Sequence, residues 1–223
     1  MHLDSIVFDF LNLLEKNNNR DWFKQNKDMY QAVLKNVQDF ATGLIAGISS
    51  FDPTIGNLEA KDTMFRIYRD IRFSPDKRPY KTHIGVYFAP NGKKSNDAGY
   101  YLHIQNNMSM LGGGLWCPDN SLLKKIREEI YYAPEDLIQI IESKKFQSVF
   151  GRLIDTENLK RPPKGYSVDF EHINLLQYRH YLVEKQASNK EVLDDNFMDV
   201  ALNTFKAMFP LVDYLNKIVH LED

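Results

Sequence analysis

The apolar residues of this chain follow a helical period, switch to a strand period near Thr63, and return to a helical one after Gly114. From Asp4 to Lys16, the residues Ile6, Val7, Phe10, Leu11 and Leu14 form one stripe at helical spacing. Asn17-Asn18-Asn19 interrupts that stripe, and Asn19 is a natural N-cap for a second helix. Trp22, Phe23, Tyr30, Val33, Val37, Phe40, Leu44 and Ile48 predict that this helix is long, ending in a loop around Pro53 and Gly56. Beyond Thr63, Phe65 and Ile67 alternate with Arg66, Tyr68 and Asp70. This predicts a half-buried strand over Phe65–Asp70, with the two apolar residues facing inward.

His83–Phe88 and Gly99–Gln105 alternate in the same way, with Ile84, Val86, Leu102 and Ile104 inward. Asn106-Asn107 can turn a hairpin into a fourth strand, Met108–Leu111, and Gly112-Gly113-Gly114 is expected to end the meander. Helical stripes resume with Leu122, Leu123, Ile126 and Ile130, and Pro134 suits the first turn of the next helix. Tyr178–Lys185 reads as one more strand. Asp194–Met208 predicts a helix, and Pro210 is expected to start the last one. Helices, then strands, then helices indicate an α+β fold. Its antiparallel β-meander lies in the middle of the chain, and helices from both termini pack on its apolar face. No Pro/Gly/Ser tract or low-complexity segment divides residues 1–223, which read as a single domain.

Composition narrows the class. A chain 43% hydrophobic and 26% charged is too apolar for disorder, and no apolar run approaches the ~20 residues of a membrane span. The first residues, MHLDSIVFDFLNLLEK, carry acids where a secretion signal needs bases. One cysteine, Cys117, excludes an internal disulfide framework and a cysteine-based zinc site. Flanked by Trp116 and Pro118, Cys117 is expected to be a small buried packing residue. These features predict a cytoplasmic protein with no membrane partner.

Charge singles out one stretch. KDTMFRIYRDIRFSPDKRPYKTH, from Lys61 to His83, sets seven Lys and Arg against three Asp in a chain whose net charge is −2. On the outward parity of the expected strands lie Arg66, Tyr68, Asp70, His83, Tyr87, Tyr101, His103 and Gln105, which would share one polar floor. Arg69, Arg72, Lys77 and Lys81 sit in or beside the loop at its edge. Guanidinium forks and lysine ammonium groups suit phosphate or carboxylate, and tyrosines beside them suit a base or sugar ring. His83 and His103 are the candidate acid/base residues. Arg69 falls on the inward parity and needs an internal carboxylate. No HExxH, G-x-G-x-x-G, P-loop or G-x-S-x-G element is present, and no cofactor or metal is named by the residues.

NNNRDWF, FRIYRDIRFSPDKRPYKTH, GYYLHI, the GGGLW-P stretch and LKRPPKGY closely resemble a widespread microbial family. Its members are known as conserved hypothetical proteins with a domain of unknown function. The resemblance spans nearly the whole chain and implies a single α+β domain of cytoplasmic type. It implies no catalytic residues. Two functions therefore stand side by side. One is binding of a phosphate- or carboxylate-bearing ligand, such as a nucleotide or nucleic-acid fragment, with phosphoryl or phosphodiester chemistry if the protein is an enzyme. The other is a non-catalytic interaction module in which the Arg/Asp-rich motif is a structural clasp.

Overall fold

Asn19 caps a helix as its side chain predicts, its Oδ1 accepting the Trp22 N–H at 2.9 Å. That helix, α2 (Arg20–Gln25), comes after α1 (Ile6–Lys16) and precedes α3 (Lys27–Ser49) in a computed structural model that describes residues 1–221. The expected long second helix is thus two. The chain turns at Asn26, whose side chain donates back to the Trp22 carbonyl at 2.9 Å and so ends α2. A single turn, α4 (Ala60–Thr63), leads into the charged stretch.

The sheet has four strands in the order β1 (Ile84–Phe88), β2 (Gly99–Ile104), β3 (Ser109–Leu115) and β4 (Tyr181–Ala187), every neighbouring pair antiparallel. Between β3 and β4 lie α5 (Asn120–Tyr132), α6 (Pro134–Ile141) and α7 (Lys144–Phe150). Pro134 occupies the first turn of α6, and Gly151, at φ 72°, closes α7. After β4 come the short α8 (Asn189–Val192) and the long α9 (Phe197–Val219). Helix α9 packs on β3 and β2, α3 packs on α9, and α1 packs on α3, so both ends of the chain cover one sheet face. Ile84, Val86, Leu102 and Ile104 are buried under them, as the alternation requires.

Four expectations are corrected. Phe65–Asp70 is not a strand; an isolated bridge from Met64 to Val86 ties its start to β1, and a second, Tyr68 to Tyr80, closes the segment on the loop that follows. The backbone bends at Ile67, so the buried pair is Met64 and Ile67, three residues apart, and Phe65 turns outward. The glycine triplet does not end the meander, because β3 runs straight through it to Leu115. A Cβ on Gly113 would lie 2.7 Å from Met208 Sδ of α9, and one on Gly114 would lie 2.1 Å from the Tyr181 carbonyl of β4. Both residues are glycine so that neighbouring elements can approach the strand. Pro210 does not begin a helix but lies inside α9. It lacks an N–H and its ring crowds the carbonyl of the preceding turn, at a cost of about 3 kcal/mol. The buried Phe205, Met208, Leu211 and Leu215 on both sides hold the two halves in line against that cost. Cys117 is exposed rather than packed, with a left-handed backbone at φ 48°.

Candidate ligand-binding cleft

The charged stretch first folds on itself. Two Asp-x-Arg pairs repeat the same geometry. Asp70 Oδ1 accepts the Arg72 backbone N–H at 3.2 Å, and the Arg72 Nη2 reaches Asp70 Oδ2 at 2.6 Å. Asp76 Oδ1 accepts the Arg78 N–H at 3.0 Å, and the Arg78 Nη2 reaches Asp76 Oδ2 at 2.8 Å. An aspartate that turns the chain over two residues brings the next arginine onto its own carboxylate. Arg69 adds a third guanidinium, 2.8 Å from Asp76 and donating to the Arg78 carbonyl at 3.0 Å. It has an internal carboxylate, as expected, but the fold of the loop and not strand parity supplies it. Lys77 donates to the Ile71 carbonyl at 3.1 Å. Arg78 and then Arg69 hold the Asp76 carboxyl well below the usual carboxylate range, and Arg72 does the same for Asp70. Tyr68 is exposed and packs by its ring against Phe23 and Tyr80.

The cleft lies on the outer face of the sheet, with a volume of about 620 Å³. Phe65 and Lys81 line one end; Tyr87, Tyr101 and His103 rise from β1 and β2; Gly112–Leu115 form the floor; Trp116, Asp119 and Glu184 line the far end. Of the nine residues the sequence nominated, Lys81, Tyr101 and His103 line this cleft. His83 backs it, its ring stacked on His103 with centroids 4.4 Å apart. Arg69, Arg72 and Lys77 belong to the folded loop, and Tyr68 and Arg66 are exposed outside the lining.

Lys81 differs from the loop cations. Among the described residues, neither its ammonium nor the Arg66 guanidinium has an ion pair or a hydrogen bond. The ammonium stands 5.6 Å from the centre of the Phe65 ring. Burial, and then the neighbouring Arg66 charge, lower its pKa.

The histidines carry a fixed proton arrangement. His103 Nε2 lies 2.8 Å from Gln105 Oε1, which can only accept, so this nitrogen bears the proton. The neutral ring then accepts at Nδ1 from the Tyr101 hydroxyl, 3.0 Å away. Burial lowers the His103 pKa, against a smaller opposing effect of the Gln105 hydrogen bond. His83 is pushed down to about 4 by burial, and further by His103 and Lys81. Burial pushes the Tyr101 phenol up to about 12. At neutral pH the three side chains of this group are uncharged. A Cβ on Gly85 would lie 2.6 Å from the Tyr101 hydroxyl, so glycine makes room for that end of it.

Sequence reasoning missed the far end of the cleft. Trp116 is 64% exposed, and its ring lies flat against buried His180 at 4.6 Å. His180 Nδ1 accepts the Cys117 N–H at 3.1 Å, which fixes the left-handed turn that presents Trp116. The chain offers only one signal for this end: a tryptophan beside a proline after a glycine run. Glu184 offers none, because its place depends on strand register.

Fold and cleft together define an α+β protein whose antiparallel sheet has helices on one face and an open site on the other. A family model of conserved hypothetical proteins, DUF2461, matches residues 6–214, and the chain belongs to that family. No curated protein and no solved structure matches it. Among the described residues, no helix is long and apolar enough to cross a membrane, and no group of three or more His, Cys, Asp or Glu could hold a metal ion.

Proposed function

We propose that this protein binds a small organic anion, a phosphate or carboxylate on a flat body, in the cleft on the outer sheet face. Lys81 carries the reading. Two cations held together without a carboxylate repel one another and lose hydration, and an anion entering beside them relieves both costs. The flat glycine floor and the rings of Phe65, Tyr101 and Trp116 suit the ring of a nucleotide or nucleic-acid fragment. Phosphoryl or phosphodiester chemistry is the reaction class this arrangement favours. A proton leaving the ligand would pass to the Tyr101 hydroxyl as that hydroxyl gives its own to His103 Nδ1, so that His103 is the acid/base group and His83 supports its ring. A cytoplasmic setting fits an exposed, unpaired thiol at Cys117.

The rival reading, an interaction module with a structural clasp, is favoured by one observation: Arg69, Arg72 and Arg78 each pair inside the loop. We assign the clasp to the loop and the site to the cleft. Calorimetric titration with phenyl phosphate, inorganic phosphate and adenosine monophosphate tests this. At least one should bind, more weakly as salt rises, and Lys81→Met should lower its affinity about tenfold, or 1.4 kcal/mol. Failure of all three to bind at low salt, or equal affinity in Lys81→Met, overturns the reading in favour of the interaction module.

A further inference from the structure

The register of the sheet gives the cleft two chemically different ends. Tyr87, Tyr101, Gly112 and Glu184 stand directly opposite one another across all four strands. Between Tyr101 and Glu184 the row has no side chain, leaving a trough two strand spacings wide, roughly 10 Å.

The glycine in that gap is not one the fold demands. A Cβ at Gly112 would meet only the Val183 carbonyl, at 3.4 Å, and the backbone there is not left-handed. Gly113 and Gly114, by contrast, are enforced by close approach of Met208 and Tyr181. What Gly112 preserves is open space on the cleft side.

Beyond the trough, Glu184 has no cation within ion-pair distance among the described residues, and its Oε1 accepts only from the Gln186 amide at 3.2 Å. Asp119 places a second carboxylate at that end while capping α5 through the Leu122 N–H. Exposed Trp116 adds an aromatic surface of the kind that attracts cations. At the opposite end stands the unpaired Lys81.

We infer that the ligand is dipolar: it lies across the strands with its anionic group at Lys81 and an ammonium or guanidinium group at Glu184. This rests on the anion-binding reading above and extends it. A simple monoanion matches one end and leaves the Glu184 carboxylate unpaired, whereas a ligand with both charges is matched at each end.

Three probes separate the parts: phenyl phosphate, tyramine phosphate and tyramine. The ring of tyramine phosphate places phosphate and ammonium about two strand spacings apart, roughly 10 Å. In the wild-type protein, tyramine phosphate should bind at least about tenfold tighter than phenyl phosphate, with tyramine weakest. In Glu184→Gln the two phosphates should bind equally. In Lys81→Met both should weaken together. Circular dichroism melts of Glu184→Gln, an exposed position, confirm that the fold is retained. If phenyl phosphate binds through Lys81 but the ammonium adds nothing, or its gain survives in Glu184→Gln, the dipolar inference falls and the anion site stands. If neither phosphate binds, the dipolar inference falls, and the anion site falls with it only if inorganic phosphate and adenosine monophosphate also fail to bind.

Discussion

The loop from Arg69 to Arg78 and the cleft around Lys81 draw on the same residue types within one stretch of chain, and their charges meet opposite fates. In the loop each arginine has a carboxylate from the same loop, and Asp76 serves two of them. In the cleft, Lys81 has none and stands beside a second cation, Arg66. The difference is one of reach. Asp-x-Arg closes a pair over two residues by local turn geometry, and the three aspartates of the stretch lie before or inside the loop. Lys81 lies past them, and its backbone N–H returns to the Ile67 carbonyl at 2.8 Å, which carries its side chain to the cleft instead. A basic motif therefore does not mark a site as a whole; the cations its own acids cannot reach are the ones left unpaired.

Among the cations and acids of the stretch, the largest effect should come from opening the clasp. Asp76→Ala leaves two guanidinium groups without their carboxylate, and should lower the melting temperature more than any other change to a charged residue there. Arg69→Ala should come second. In both variants phenyl phosphate affinity should stay near wild type if the fold holds. A parallel loss of affinity would break the division between clasp and cleft.

Acid should separate the two regions next. His83 titrates near its ordinary value of 6.5 when unfolded and at about 4 when folded, so below 6.5 the unfolded chain binds the proton first. Stability from this group is full above 6.5 and is lost as the pH falls toward about 4; His103 shifts in the same direction. Asp70 and Asp76 also have depressed values, but theirs start from the carboxylate range, so the clasp weakens only below about pH 4. Melting curves of the wild type should therefore decline in two stages. The upper stage should shrink in His83→Asn and the lower one in Asp76→Ala.

Smaller still is the effect on folding of removing the cleft cations. Arg66→Ala and Lys81→Met should each change stability by about 1 kcal/mol or less, because no partner is orphaned. Lys81→Met should nonetheless cost ligand affinity. If Arg66→Ala melts as low as Arg69→Ala, Arg66 is structural and the unpaired-cation argument fails. The smallest expected change in stability is that of Gly112→Ala, within about 1 kcal/mol, against several for Gly114→Ala, whose added Cβ meets backbone at positive φ. Binding of phenyl phosphate and tyramine phosphate should distinguish these glycines in the reverse sense, Gly112→Ala weakening it in a folded protein.

Much of this architecture is legible in the chain. The stripes of α1, α5 and α9, the Asn19 cap and the inward faces of β1 and β2 come from spacing alone. The misreadings fall where tertiary contact outweighs local rule. Pro210 stays inside a helix because both flanks are buried, and Phe65 turns out because Met64 pairs with Val86 and takes its place in the core. For the site, Lys81, Tyr101 and His103 could be nominated from charge and alternation, yet so were Arg69, Arg72 and Lys77, which lie in the loop.

What the amino-acid sequence determined by itself is which residues face the core within the regular elements, because a side chain's face there depends on a period of two or 3.6 residues that is written locally; Phe65 and Cys117 lie outside those elements and escape the rule. It also determined the two Asp-x-Arg pairs, which close within a turn. Only the tertiary structure decided which polar residues share a surface. Tyr101, Gly112 and Glu184 meet through the pairing of strands far apart in the chain, and a register slip of one residue would have sent Glu184 to the opposite face. Register is a property of the whole sheet, and so the two-ended cleft it creates could not be read from any segment alone.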